Sequence, residues 1–131
     1  MNPTKKLCLA LAFGFACATA VAGGKTFEAN FASATKNSAT PKGAAYDNSL
    51  GVVMQTVPEF RSRFKQCVTR YPGTHAVRGY FDFSAAGKYR VFLEPKNAFS
   101  SCLSRALEGH RVPAPPSVPY LNPFKLSTNG K

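Results

Sequence analysis

The sequence predicts an α+β fold: a small two-layer domain in which an antiparallel β-sheet, a hairpin plus a C-terminal edge strand, packs on two helices. Three observations carry this expectation. Apolar residues recur at spacings of three and four across 57–71 and again across 99–107, they alternate across 77–93, and a last alternating segment spans 118–126.

The first element is a leader. Lys5 and Lys6 precede an apolar and small-residue run over 7–18, and Ala20-Val21-Ala22 supplies the small-x-small pattern read by a signal peptidase. Cleavage is expected after Ala22. The run is shorter than the roughly 20 residues that span a bilayer, and Gly14-Phe15-Ala16 before Cys17 is not a lipidation context. The expected product is a periplasmic or secreted bacterial protein without a stable transmembrane anchor. Removal of 1–22 takes the formal charge from +11 to +9 and leaves two of the four cysteines, Cys67 and Cys102. In an oxidising compartment two cysteines are expected to pair, closing a loop worth about 3–4 kcal/mol in the chain-entropy model. After export the polyanions available to such a charge are lipopolysaccharide, phospholipid headgroups, peptidoglycan and acidic protein surfaces. The charge speeds encounter with all of them and selects none.

Residues 23–46 are rich in Ala, Ser, Thr, Lys and Gly without a sustained apolar period, and are expected to form a flexible lead-in to a domain over 47–127, followed by a tail at 128–131. Residues 47–55 fit an earlier helix or a strand equally well. Thr56-Val57-Pro58-Glu59 reads as a helix start, with Thr56 as the cap and Pro58 in the first turn. Val57, Phe60, Phe64, Cys67, Val68 and Tyr71 then share one face, and Pro72-Gly73 ends the helix. Arg61, Arg63, Lys65 and Arg70 lie off that face and are the candidate contacts for an anionic surface.

The hairpin follows. Val77, Gly79, Phe81 and Phe83 alternate with Arg78, Tyr80, Asp82 and Ser84, and Tyr89, Val91 and Leu93 alternate with Lys88, Arg90, Phe92 and Glu94. Ala85-Ala86-Gly87 suits a type I turn closed by a glycine bulge. With Ser84 facing Lys88, the outward pairs are Asp82 with Arg90, Tyr80 with Phe92 and Arg78 with Glu94, a pattern that cross-strand pairing rewards. The inward pairs are Phe83 with Tyr89, Phe81 with Val91 and Gly79 with Leu93. The outward face is expected to be solvated: its acids answer its arginines, so no nucleic-acid platform is expected. Asn97 is placed to cap the second helix, with Phe99, Cys102, Leu103, Ala106 and Leu107 on its apolar face and Gly109 after its end. In the last strand Pro119 and Pro123 share parity. Their side, which keeps donors only at Leu121 and Lys125, is expected to face away from the sheet.

Catalysis is not expected. His75 and His110 lie outside metal-ligand spacing of each other and of the cysteines, the 35-position cysteine separation is not a redox motif, and Ser100, Ser101 and Ser104 are expected on the exposed side of their helix with no base beside them. No cofactor and no metal is implied.

The order helix, hairpin, helix, strand, with Cys67 near the end of the first helix, Gly79 opening the hairpin, Gly87 turning it, Cys102-Leu103-Ser104-Arg105-Ala106, the exit Arg111-Val112-Pro113-Ala114-Pro115, and Asn122-Pro123-Phe124 on the last strand, resembles the TonB C-terminal-like family. Within it, the likeness is to the disulfide-bearing branch found at the ends of AgmX-type gliding-motility proteins, over residues 53–126. The resemblance implies a non-catalytic envelope module that binds a protein or peptide partner along a sheet edge, here Pro119, Leu121, Pro123 and Lys125. TonB-like proteins join a motor through an inner-membrane helix; a removable leader argues against an energy-transducing role. Two other classes stand beside this one: a cationic envelope-associated protein binding peptidoglycan or lipopolysaccharide, and a secreted inhibitor or effector.

Overall fold

A computed structural model describes residues 26–85 and 87–129. The expected leader, residues 23–25 and the last two residues of the tail lie outside them. Among the described residues the fold is α+β, with four helices and a three-stranded antiparallel sheet. The elements are α1 (Phe27–Ser38), α2 (Pro41–Thr56), α3 (Pro58–Arg70), β1 (His75–Ala85), β2 (Lys88–Glu94), α4 (Ala98–Leu107) and β3 (Tyr120–Thr128).

Residues 27–38 and 41–46 of the stretch expected to be a lead-in are helical, which corrects that expectation. Thr26 caps α1 by accepting from the Ala29 amide (3.2 Å), with Glu28 in the first turn and Lys36 in the last, both favourable to the helix dipole. Thr40 caps α2 by accepting from the Gly43 amide (3.0 Å), and Pro41 fills its first turn. Gly43 is needed where it stands, because a Cβ there would lie 1.8 Å from the Asn37 carbonyl oxygen. The buried face of α2 is Gly43, Tyr46 and Leu50, a helical period that a glycine and a tyrosine disguise in the sequence. Residues 47–55, which fitted two readings, belong to this helix.

Because α2 runs through Thr56, that residue does not cap α3. Its hydroxyl donates back to the Val52 carbonyl (2.9 Å), and the N-cap of α3 is Val57, without a side-chain bond. The apolar face of α3 is as expected: Cys67 is buried, and Phe60, Phe64, Val68 and Tyr71 pack against the core. In α4, Asn97 and Ser100 form a reciprocal capping box. Cys67 and Cys102 are joined in a disulfide with Cα atoms 5.8 Å apart, tying α3 to α4.

The sheet order is β2-β1-β3, so β3 is an edge strand. The hairpin register is the expected one at all six inward and outward pairs; at the turn Lys88 faces Ala85 instead of Ser84, with a bulge between Phe83 and Ala85 and Gly87 at φ +77°. Gly79 is required by close approach, since a Cβ would lie 1.9 Å from the Phe92 carbonyl oxygen. Strand β3 pairs with β1 from Phe83↔Tyr120 to His75↔Thr128. It therefore starts two residues later than expected and takes Thr128 out of the tail, because the long β1 sets its length. Val118, the first residue of the expected strand, is outside it and exposed.

Helices α2, α3 and α4 cover one sheet face, where Phe81, Phe83, Phe99, Leu103 and Leu107 form the centre of the core. To this two-layer arrangement the structure adds α1 on the other face, over Arg78, Tyr80 and β3.

Candidate functional site

The inner face of β3 is covered unevenly. At its start α2 lies directly upon it: Tyr46 meets Tyr120 edge-on (centroids 5.7 Å), and Asn122 Nδ2 donates to Asp47 Oδ1 (2.8 Å). Further along, Phe124 and Leu126 are only half-buried. Above them lies an open groove of about 870 Å³, with Gly51, Met54 and Gln55 of α2 on one side and Pro58, Phe60, Arg61, Ser62, Phe64 and Lys65 of α3 on the other. Its surface is mostly apolar.

Two rows run along α3 at this groove. Phe60 and Phe64, stacked at 6.1 Å, form the inner row; Arg61 and Lys65 form the rim. Each row repeats every four residues, so its members share a helix face. Among the described residues the ion pairs are those of Arg78, with Glu28 and with Glu94 (3.8 Å), and Arg61 and Lys65 have none. The four candidate cations of this helix are thus separated by the structure. Arg61 and Lys65 line the groove, Arg70 joins Lys65 at a shallow depression on the outer side and lies 5.9 Å over Tyr71, and Arg63 lines neither. The sequence pointed to these cations but not to the groove, whose opposite wall comes from the undecided stretch 47–55. The detectable signal was the adjacent Phe-Arg and Phe-Lys steps at 60–61 and 64–65.

The candidate edge is more obstructed than expected. Pro119 precedes the strand and is exposed; Leu121 and Pro123 are half-buried; Lys125 is exposed, its Nζ 5.8 Å over the Phe31 ring. Asn37 of α1 donates to the Leu121 carbonyl (2.9 Å). The N–H and C=O of a strand residue point the same way, so this bond sets the parity of Leu121, Pro119 and Pro123 away from β1, as expected. It also engages α1 at the position where a peptide would pair.

The outward face of the hairpin is solvated only in part: α1 covers Arg78 and Tyr80 on β1, while Arg90 on β2 stays exposed. Tyr80 is 4% exposed; its hydroxyl accepts from Asn30 Nδ2 (3.0 Å) and its ring meets Phe27 at 5.4 Å. Arg78 pairs with Glu28, lies over both Phe27 and Phe31, and reaches Glu94 more distantly. Hydrogen bonding to Glu28 raises the pKa of the guanidinium further. Arg90 lies over Phe92 (5.3 Å).

The remaining polar groups have structural partners. His75 Nε2 donates to the Tyr71 carbonyl (2.8 Å) while its ring stacks on Phe99, and His110 Nε2 donates to the Ala106 carbonyl (2.7 Å). Of the serines expected on the exposed side of α4, only Ser101 is exposed; Ser100 is buried in the capping box and bonds the Pro95 carbonyl, and Ser104 donates to the Val91 carbonyl. The Tyr89 hydroxyl donates to the Leu107 carbonyl (2.6 Å). Burial pushes the Tyr46, Tyr89 and Tyr120 hydroxyls above the ordinary tyrosine pKa. Among the described residues no group of three His, Cys, Asp or Glu side chains is arranged to hold a metal, and no helix is long and apolar enough to cross a membrane. Comparison with family models, with curated proteins and with solved structures finds no match.

Proposed function

We propose that this chain is an exported protein-interaction module of the bacterial cell envelope, which binds a partner protein or peptide and performs no chemistry of its own. The observation that carries the proposal is the open, mostly apolar groove above Phe124 and Leu126, rimmed by Arg61 and Lys65. Apolar surface left beside an otherwise filled core is stabilised by a partner that removes it from water. The likeness to TonB C-terminal-like domains is part of the proposal. What speaks for it is the run α3, hairpin, α4, β3 with the Cys67–Cys102 link; the bond from Asn37 to the Leu121 carbonyl speaks against a freely available edge.

In vivo cross-linking with the full chain tests this reading. A discrete protein adduct in the periplasmic fraction that survives high salt is the expected result, with intact mass showing cleavage after Ala22. Retention in the cytoplasm, or the absence of any protein adduct, overturns it. A second reading has an observation of its own: Arg61, Arg63, Lys65 and Arg70 are exposed without acidic partners among the described residues. A protein held to peptidoglycan or lipopolysaccharide by these charges would elute steeply with ionic strength.

A further inference from the structure

Three properties of the groove restrict what fills it. The first is its place in the architecture. The inner sheet face carries a layer of helices, α2 lies upon β3 only near Tyr120 and Asn122, and the space above Phe124 and Leu126 continues that layer beside α3. The second is its openness. A single acyl chain lying there would keep much of its surface wet, whereas a segment of a folded partner brings its own outer cover. The third is spacing. Phe60 and Phe64, and beside them Arg61 and Lys65, repeat every four residues, a rise of about 6 Å along the axis. A second helix lying along α3 has the same rise, so its own i and i+4 positions meet both rows.

Charge decides the character of that helix. Arg61 and Lys65 have no ion pair among the described residues, and Glu59 stands four residues before Arg63, hence on a different flank of α3 from the rim pair. An occupant with carboxylates along one flank would find both cations unanswered; one with lysines there would be repelled.

We propose that this groove receives an acidic amphipathic helix from a partner protein. Its apolar residues, at i, i+3, i+4 and i+7, pack on Phe64, Phe124 and Leu126, while Asp or Glu residues four apart on its flank face Arg61 and Lys65. The inference rests on the reading of the chain as a protein-interaction module, and adds the site, the conformation and the charge of the bound segment.

The test uses the full chain and three fluorescent peptides of about five helical turns, roughly 18 residues. Probe A has leucines at the stated spacing and paired glutamates on the flank; probe B carries lysines in place of those glutamates; probe C is probe A with a central proline that breaks the helix. Probe A is expected to bind, with B and C each weaker by about tenfold or more, the scale of one or two interfacial charge pairs. The R61E/K65E variant should invert the order so that B exceeds A, and Leu126→Asp should weaken A and B together. An R63E/R70E variant should leave A unchanged to within about twofold, since those cations lie off the groove wall; retained far-UV circular dichroism shows each variant folded. Equal binding of A and B, binding of C as tight as A, or loss of A in R63E/R70E overturns the proposal, as does displacement of A by a fatty-acid probe that binds more tightly. If no probe binds while cross-linking still yields a periplasmic adduct, the groove assignment falls and the interaction-module reading stands. Probe binding without any adduct in cells has the opposite meaning.

Discussion

The two faces of the sheet are held by different physics. On the inner face, Phe81, Phe83, Phe99, Leu103 and Leu107 are almost fully buried, and a disulfide joins two of the three covering helices. On the outer face a single helix, α1, has one fully buried residue, Ala34, and is held by separate contacts: Asn30 to Tyr80, Asn37 to the Leu121 carbonyl, Glu28 to Arg78, and the rings of Phe27 and Phe31. Apolar burial stabilises in proportion to area and is non-directional. A net hydrogen bond contributes about 1 kcal/mol, and a solvent-exposed ion pair less. The inner layer therefore carries the apolar core of the domain, whereas α1 is held to the sheet chiefly by directional contacts.

The largest effect that sharpens this contrast comes from the disulfide. Reducing Cys67–Cys102, whose partners are 35 positions apart, should lower the unfolding free energy by about 3–4 kcal/mol, measured by denaturant titration with and without a thiol reductant. An unchanged midpoint would mean that apolar packing alone holds the inner layer.

A smaller effect follows from the buried hydroxyls of that same layer. Tyr46, Tyr89 and Tyr120 have pKa values raised above 10.0, in each case chiefly by burial. Above about pH 10 the unfolded chain releases protons that the folded chain keeps. Their contribution is thus fully present below pH 10 and is lost as pH rises towards the folded values. Thermal melts should fall on the alkaline side, and Tyr46→Phe should flatten that fall. A fall of the same steepness in the variant would assign the loss to other groups.

The smallest effect should come from the outer face. Asn30→Ala removes the bond to the Tyr80 hydroxyl and should cost about 1 kcal/mol. Hydrogen exchange should show faster exchange in α1 with α4 unchanged, and salt should act in the same direction by screening Glu28 and Arg78. Equal loosening of α4 would break the comparison, because it would make the two faces one cooperative unit.

The same contrast explains what was legible. The inner face announces itself through strict alternation in 77–93 and helical spacing in 57–71 and 99–107, and the hairpin register followed from pairing opposite charges and aromatics. The helix that covers the outer face has no such code. Helix α1 buries mainly an alanine, and its composition reads as a lead-in until Thr26 and Thr40 are recognised as caps. The groove was half legible: Arg61 and Lys65 were visible as unanswered cations, but their apolar neighbours on α2 were not.

By itself the sequence determined the α+β class, the inward and outward sets of the hairpin, the cap at Asn97, the pairing of Cys67 with Cys102 and the proline parity of the last strand. All of these follow from short-range periodicity, local hydrogen bonding or, for the cysteines, from the two that remain outside the expected leader. Only the tertiary structure decided that α1 covers the outer face, that its Asn37 takes a carbonyl of the edge strand, and that α2 leaves Phe124 and Leu126 open. The reason is that coverage depends on where a helix crosses a strand. That crossing is set by a few contacts far apart in the chain, such as Tyr46 on Tyr120 and Asp47 on Asn122, which no local pattern records.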